Sequence, residues 1–152
     1  MLFRSFAIGL CVGPLLAAAP VGSLPLGKDG KPLNLDFENG DLRDWKAEGD
    51  AFEGQPIKGD SVKVRRGDMA SGHTGNFWVG SYEAKGDNAR GVLASVPFKV
   101  TQPWASFRVA GGSSSNTRVE LVDVATMKAF FQASGSVTET LRPVVEIGRA
   151  HV

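Results

Sequence analysis

From Val92 to Val100 every second residue is apolar: Val92, Ala94, Val96, Phe98 and Val100 share one face, while Ser95 and Lys99 point the other way. After Thr101-Gln102-Pro103 the alternation resumes, with Ala105, Phe107 and Val109 on one face and Ser106 and Arg108 on the other. Side chains of a strand alternate between two faces, so a period of two with one apolar face is what a half-buried antiparallel strand requires. The stretch from Gly91 to Gly112 therefore predicts two strands joined by a tight turn, with Val96, Phe98 and Phe107 turned inward.

The remaining segments can be ordered around that pair. Leu33, Leu35 and Phe37 alternate and run into Asn39-Gly40, a strong turn signal, so residues 33–38 predict a first strand. Leu42 and Trp45 are the apolar contributions of the next segment, and Gly49-Asp50-Ala51-Phe52 opens a short strand closed by Gly54 and Pro56. Lys58 to Ser71 reads as a solvated loop, with Val62 and Val64 a weak strand. Its basic Lys63, Arg65 and Arg66 are offset by Asp60 and Asp68. Asn76 to Glu83 is rich in aromatic and β-branched residues, with Phe77 and Val79 on one face and Trp78 and Tyr82 on the other. Gly111 to Asn116 is a flexible loop; strands follow over Thr117–Val124 and Ala129–Ala133, and another begins at Val144. That makes roughly eight short strands and no helix in the mature chain. Each has one apolar face, so two sheets must meet face to face. The expected fold is all-β: an antiparallel β-sandwich, jelly-roll-like, over residues 33–146 and truncated at its C-terminus.

A chain of 152 residues has room for one ordinary domain. Its 17 Lys and Arg balance 16 Asp and Glu, which leaves no electrostatic case for nucleic acid or an anionic membrane. The 19 glycines and 8 prolines accompany 42% hydrophobic residues, a turn-rich rather than a disordered composition. Residues 6–19, FAIGLCVGPLLAAA, are apolar, uncharged and end in alanines, as a secretory signal peptide does; they are short for a membrane span and interrupted by Gly13 and Pro14. A secreted or periplasmic protein is expected, with residues 20–32 as a Gly/Pro linker. Cys11 is the single cysteine and would be lost on processing, and Leu10 before it argues against a lipoprotein anchor. Residues 1–5 and 147–152 match translations of the two strands of a sequencing-library adapter. They are read as artefact, which makes the chain a fragment and removes His151 from consideration.

Several motifs then line up: Phe37, Glu38, Gly40 and Trp45; Gly49 to Phe52; Gly72 to Glu83; Gly91 to Phe98; and the Val109 to Gly112 loop. In these the chain resembles the jelly-roll-like, carbohydrate-binding-type module at the N-terminus of large secreted planctomycete-type cytochrome c proteins. It is also similar to the module attached to levanase-type fructan-cleaving hydrolases. The resemblance spans most of Leu33 to Glu146 and rests on aromatic and glycine positions rather than catalytic groups. It implies a secreted, non-catalytic sandwich within a multidomain protein, with haem confined to a downstream domain and no cofactor in this stretch. Ser113 stands where a third loop glycine is usual, and the family's closing strands are missing.

No catalytic set emerges from the residues. Asp36, Glu38, Asp41, Asp44, Glu48 and Asp50 match neither a calcium loop nor a glycosidase pair. They read as solvated turn residues, with a structural calcium the lesser expectation. His73 lies between glycines without a second native histidine and predicts a local hydrogen bond; Ser95 and Ser113 to Ser115 have no base partner. Sugar rings stack on exposed aromatics, so Trp78, Tyr82 and Trp104, with Arg108 beside them, form the candidate ligand-binding set. The competing expectation is that these rings cover a second sheet or an adjoining domain, and Trp45 reads as a core anchor. The expected partners are a polysaccharide or neighbouring domains of the same protein.

Overall fold

The computed structural model describes residues 22–147. Residues 6–19, read above as a signal segment, and the ends 1–5 and 148–152 lie outside the described residues. In chain order the elements are β1 (Trp45–Gly49), β2 (Ile57–Lys58), α1 (Ser61–Arg66), β3 (Phe77–Trp78), α2 (Ser81–Lys85) and β4 (Gly91–Ser95). They continue with β5 (Trp104–Gly111), β6 (Arg118–Asp123), β7 (Lys128–Ser134) and β8 (Thr138–Ile147). The fold is all-β and antiparallel, as the alternation requires. Among the described residues the strands form four two-stranded ladders, β1–β4, β2–β3, β5–β8 and β6–β7, and no closed barrel. The pairings nest: β2–β3 lies within the β1–β4 pair, and β6–β7 within β5–β8. Each half of the chain is thus one long hairpin folded back with a shorter one inside it.

The two strands of the Gly91–Gly112 stretch do not form a hairpin with each other. β4 pairs with β1, from Trp45 opposite Ser95 to Gly49 opposite Gly91, and β5 pairs with β8. β4 is also shorter than its alternation and shows the other face inward. Val92 and Val100 are 62% and 65% exposed, while Leu93 and Ser95 are the half-buried residues of the strand. Period alone sets which residues share a face, not which face meets a second layer. On β5 the expectation holds: Ala105 and Phe107 are half-buried, Val109 is buried, and Ser106 and Arg108 are exposed.

Three further segments depart from the sequence reading. Residues 33–38 are a turn, with Phe37 at φ 65° and Asn34 buried as its organiser. The Asn34 amide donates to Asp41 O at 2.9 Å, its backbone N–H to Asp44 Oδ2 at 2.9 Å, and its side-chain oxygen accepts from Asn39 N at 3.1 Å. The Asn34 carbonyl accepts the Trp45 indole at 2.8 Å. This accounts for a buried polar residue at little cost, because its groups are paired. Gly49 to Phe52 likewise turns after β1 rather than opening a strand.

The Lys58–Ser71 stretch contains α1 rather than a weak strand. Asp60 caps it by accepting from Lys63 N at 2.9 Å, and Val62, 1% exposed, anchors it in the core. Asn76–Glu83 divides into β3 and α2 at Gly80, so its strand is two residues long. Gln55 and Gly80 exchange two hydrogen bonds, of 2.8 and 3.1 Å, which prolong the β2–β3 contact by side chain where backbone pairing stops.

Candidate functional site

The side chains with chemical potential gather where the two halves meet. The segment 70–72 lies beside β8. Leu141 N donates to Ser71 O at 2.6 Å, and Thr140 Oγ1 donates to Ala70 O at 2.8 Å. From β5, Arg108 Nη1 donates to Gly72 O at 3.0 Å and to Leu141 O at 3.3 Å. Gly72, at φ +64°, takes a left-handed backbone that favours glycine, and a Cβ there would crowd the Thr140 methyl at 3.1 Å.

Beneath this seam Ser71 is fully buried, and its hydroxyl lies 2.6 Å from His73 Nδ1. The His73 ring stacks on Trp78 at 6.1 Å between centroids. The distance is that of a nucleophile and its base, but Ser71 is 0% exposed and reaches no solvent. The pair is a local structural hydrogen bond, as expected of His73. Asp60 accepts from the Ser71 amide at 3.0 and 3.1 Å as well as capping α1. Burial pushes the Asp60 carboxyl up, but the Lys63 and Ser71 amides outweigh it and hold it below the ordinary carboxylate range. Glu38 is lowered by the backbone amides of Phe77 and Asn76, which donate to it at 3.0 and 2.8 Å.

An ion network lies over the seam. Arg65 of α1 bridges Glu83 of α2 at 2.7 Å and Glu139 of β8; Arg66 pairs with Asp68 at 3.3 Å and with Glu139 at 3.3 Å. The Arg65 guanidinium also sits 4.8 Å from the Tyr82 ring centroid, within cation–π range. Hydrogen bonds from Arg65 lower the Glu139 carboxyl, and Glu139 and Glu83 together raise the guanidinium. The basic cluster read as a solvated loop is therefore largely neutralised within the fold.

The sequence-derived site residues are dispersed by these arrangements. Trp78 is buried at 8% exposure, and its indole donates to Gly59 O at 2.9 Å, so it is a core residue rather than a surface platform. Trp78 and Tyr82 no longer share a strand face, because β3 ends at Trp78 and Tyr82 belongs to α2. Tyr82 stays 46% exposed, with Arg65 over its ring. Trp104 is half-buried at the start of β5, with space for Gly22 against its ring, and Arg108 is committed to the seam. Trp45 anchors the N-terminal turn, stacked on Phe37 at 5.0 Å.

Ser71 and Asp60 escaped the sequence reading as members of this cluster. Asp60 directly precedes the SVKVRR segment, a cap signal that would have revealed the helix. Ser71 carries no sequence signal, since its role depends on β8 arriving alongside. Among the described residues no group of three His, Cys, Asp or Glu side chains converges as a metal site needs. Set against known proteins, the chain matches no family model, no curated protein and no solved structure.

Proposed function

We propose that this chain is a non-catalytic packing module of a secreted multidomain protein, docking the exposed apolar side chains of one ladder on neighbouring domains. The observation that carries the reading is the solvent exposure of the β6–β7 ladder and its turn: Val119 is 39% exposed, Val122 40%, Phe130 58% and Met127 76%. Several large apolar side chains left in water on one ladder and its turn point to an interaction site or an aggregation liability. The setting is that of the modules it resembles, with a planctomycete-type cytochrome c protein as parent and a levanase-type hydrolase as the alternative parent. A C-x-x-C-H motif encoded downstream supports the first, and a propeller-type hydrolase sequence supports the second.

The test compares hydrogen exchange in this chain alone and in the intact parent. Slowed exchange over β6–β7 in the parent, reversed by Phe130→Ser, is expected. Equal exchange in both would leave the module a spacer without a docking role. Glycan binding is the second reading, favoured by the exposed Tyr82 ring. Calorimetry against polysaccharides, with signal lost in Tyr82→Ala, would establish it in place of packing.

A further inference from the structure

The strongest alternation in the sequence outruns the strand it forms. β4 stops at Ser95, yet Val96, Phe98 and Val100 continue its pattern in a chain that joins no ladder. The reason lies in the partner strand. β1 begins at Trp45 opposite Ser95, and the chain before it turns away at Asp44, whose φ is 70°. Val96 N–H makes the last bond, to Asp44 O at 2.8 Å. Beyond it, among the described residues, the backbone groups of Phe98, Lys99, Val100 and Thr101 make no hydrogen bond within the protein. Backbone donors and acceptors in a strand-patterned segment are a template for a further strand.

The surroundings limit what that strand can be. A groove of about 410 Å³ beside the segment is lined by Leu26, Lys28, Pro97, Phe98, Lys99 and Val124. It adjoins a second, of about 500 Å³, where Leu26 and Lys99 recur beside Leu24 and Thr101. Among the described residues no carboxylate lines either groove, and Lys28 and Lys99 take part in no ion pair. An apolar floor with two free ammonium groups complements a segment that alternates apolar and acidic residues.

We propose that Val96–Thr101 accepts an added β-strand, and that its occupant is an extended acidic–apolar segment of a neighbouring domain. The inference rests on the packing reading above and assigns it a second contact with a defined partner chemistry. In an extended continuation of β4, the amides of Phe98 and Val100 face the side on which Val96 meets Asp44. Pro97, which has no N–H, falls on the opposite edge, where a missing donor is tolerated.

The experiment titrates the full chain with a short synthetic peptide of alternating valine and glutamate, followed by amide NMR and hydrogen exchange. The Phe98 and Val100 amides are expected to shift and to exchange more slowly, while a valine–lysine peptide leaves them unchanged. Lys28→Glu combined with Lys99→Glu should weaken binding about tenfold. Val100→Pro removes one donor at a position 65% exposed and outside any ladder, and should weaken binding while leaving the fold intact by circular dichroism. Unshifted amides, equal binding of both peptides, or protection that appears through self-association at high concentration each overturn the proposal. Shifts confined to β6–β7 around Phe130 overturn it too, while sparing the packing reading.

Discussion

The N-terminal half, through β4, and the C-terminal half, from β5, use the same nested antiparallel pairing and stabilise it by opposite means. In the first half the ladders are short, two to five residue pairs, and the chain between them is held by side chains. Asn34, Glu38, Gln55 and Asp60 each tie backbone groups that no strand satisfies. Of the buried residues, Leu33, Asn34, Ala51, Val62, Ser71 and Trp78 all lie there. The second half has ladders of six and seven paired positions, bulged between Val109 and Gly111 and between Leu121 and Val122, yet among the residues whose burial is described it contributes only Val109 to the buried set. Its main interior contact is Phe107 of β5 edge-on to Phe131 of β7 at 5.6 Å. Long strands satisfy the backbone without burying side chains; short strands depend on what surrounds them.

That contrast can be broken most severely at Trp78. Trp78→Ala removes a buried ring and the Gly59 hydrogen bond and should cost about 3–5 kcal/mol, a large part of the stability of an ordinary domain. Phe107→Ala, on a half-buried strand, should cost clearly less in the same urea titration. Equal losses would mean the halves share one core.

The next effect is on acid stability and belongs mainly to the first half. Glu38 and Asp60 have carboxyls lowered in the folded state, so their contribution is complete above the unfolded value, about 4, and is lost as pH falls through the lower folded value. Urea midpoints should therefore decline below about pH 4, and Glu38→Gln should flatten the decline. Asp60→Ala also uncaps α1, at a cost of about 1 kcal/mol at neutral pH.

A smaller effect is expected at the seam. Arg65→Ala severs the ion pairs from α1 to α2 and β8, lowering the melting temperature slightly in dilute buffer and less in concentrated salt, since partly exposed pairs are screened. The smallest is at Phe130. Phe130→Ser touches a residue 58% exposed, so stability should move by no more than about 0.5 kcal/mol while aggregation of the isolated chain falls.

The second half was the more legible in the sequence. Val119 and Leu121 across from Ala133 and Phe131, and Ala105 with Phe107 and Val109, appear where the alternation places them. The first half was poorly legible, because its structure depends on contacts distant in sequence. Glu38 reaches Asn76, Gln55 reaches Gly80, and Asp60 reaches Ser71. The candidate binding set was dispersed for the same reason: whether Trp78 faces water depended on where Gly59 and His73 settled, not on strand parity.

By itself the sequence determined the class of fold, since period-two apolar faces between glycine and proline turns admit antiparallel strands. It also determined the inward set on β5 and the local hydrogen bond of His73. Only the tertiary structure decided which strands pair, which face of Val92–Val100 is covered, and that Phe98 to Thr101 find no backbone partner among the described residues. A strand's pattern specifies its own two faces, whereas its neighbours are chosen by turns such as Asp44, whose left-handed backbone sets where β1 begins and leaves Phe98 to Thr101 without a backbone partner among the described residues.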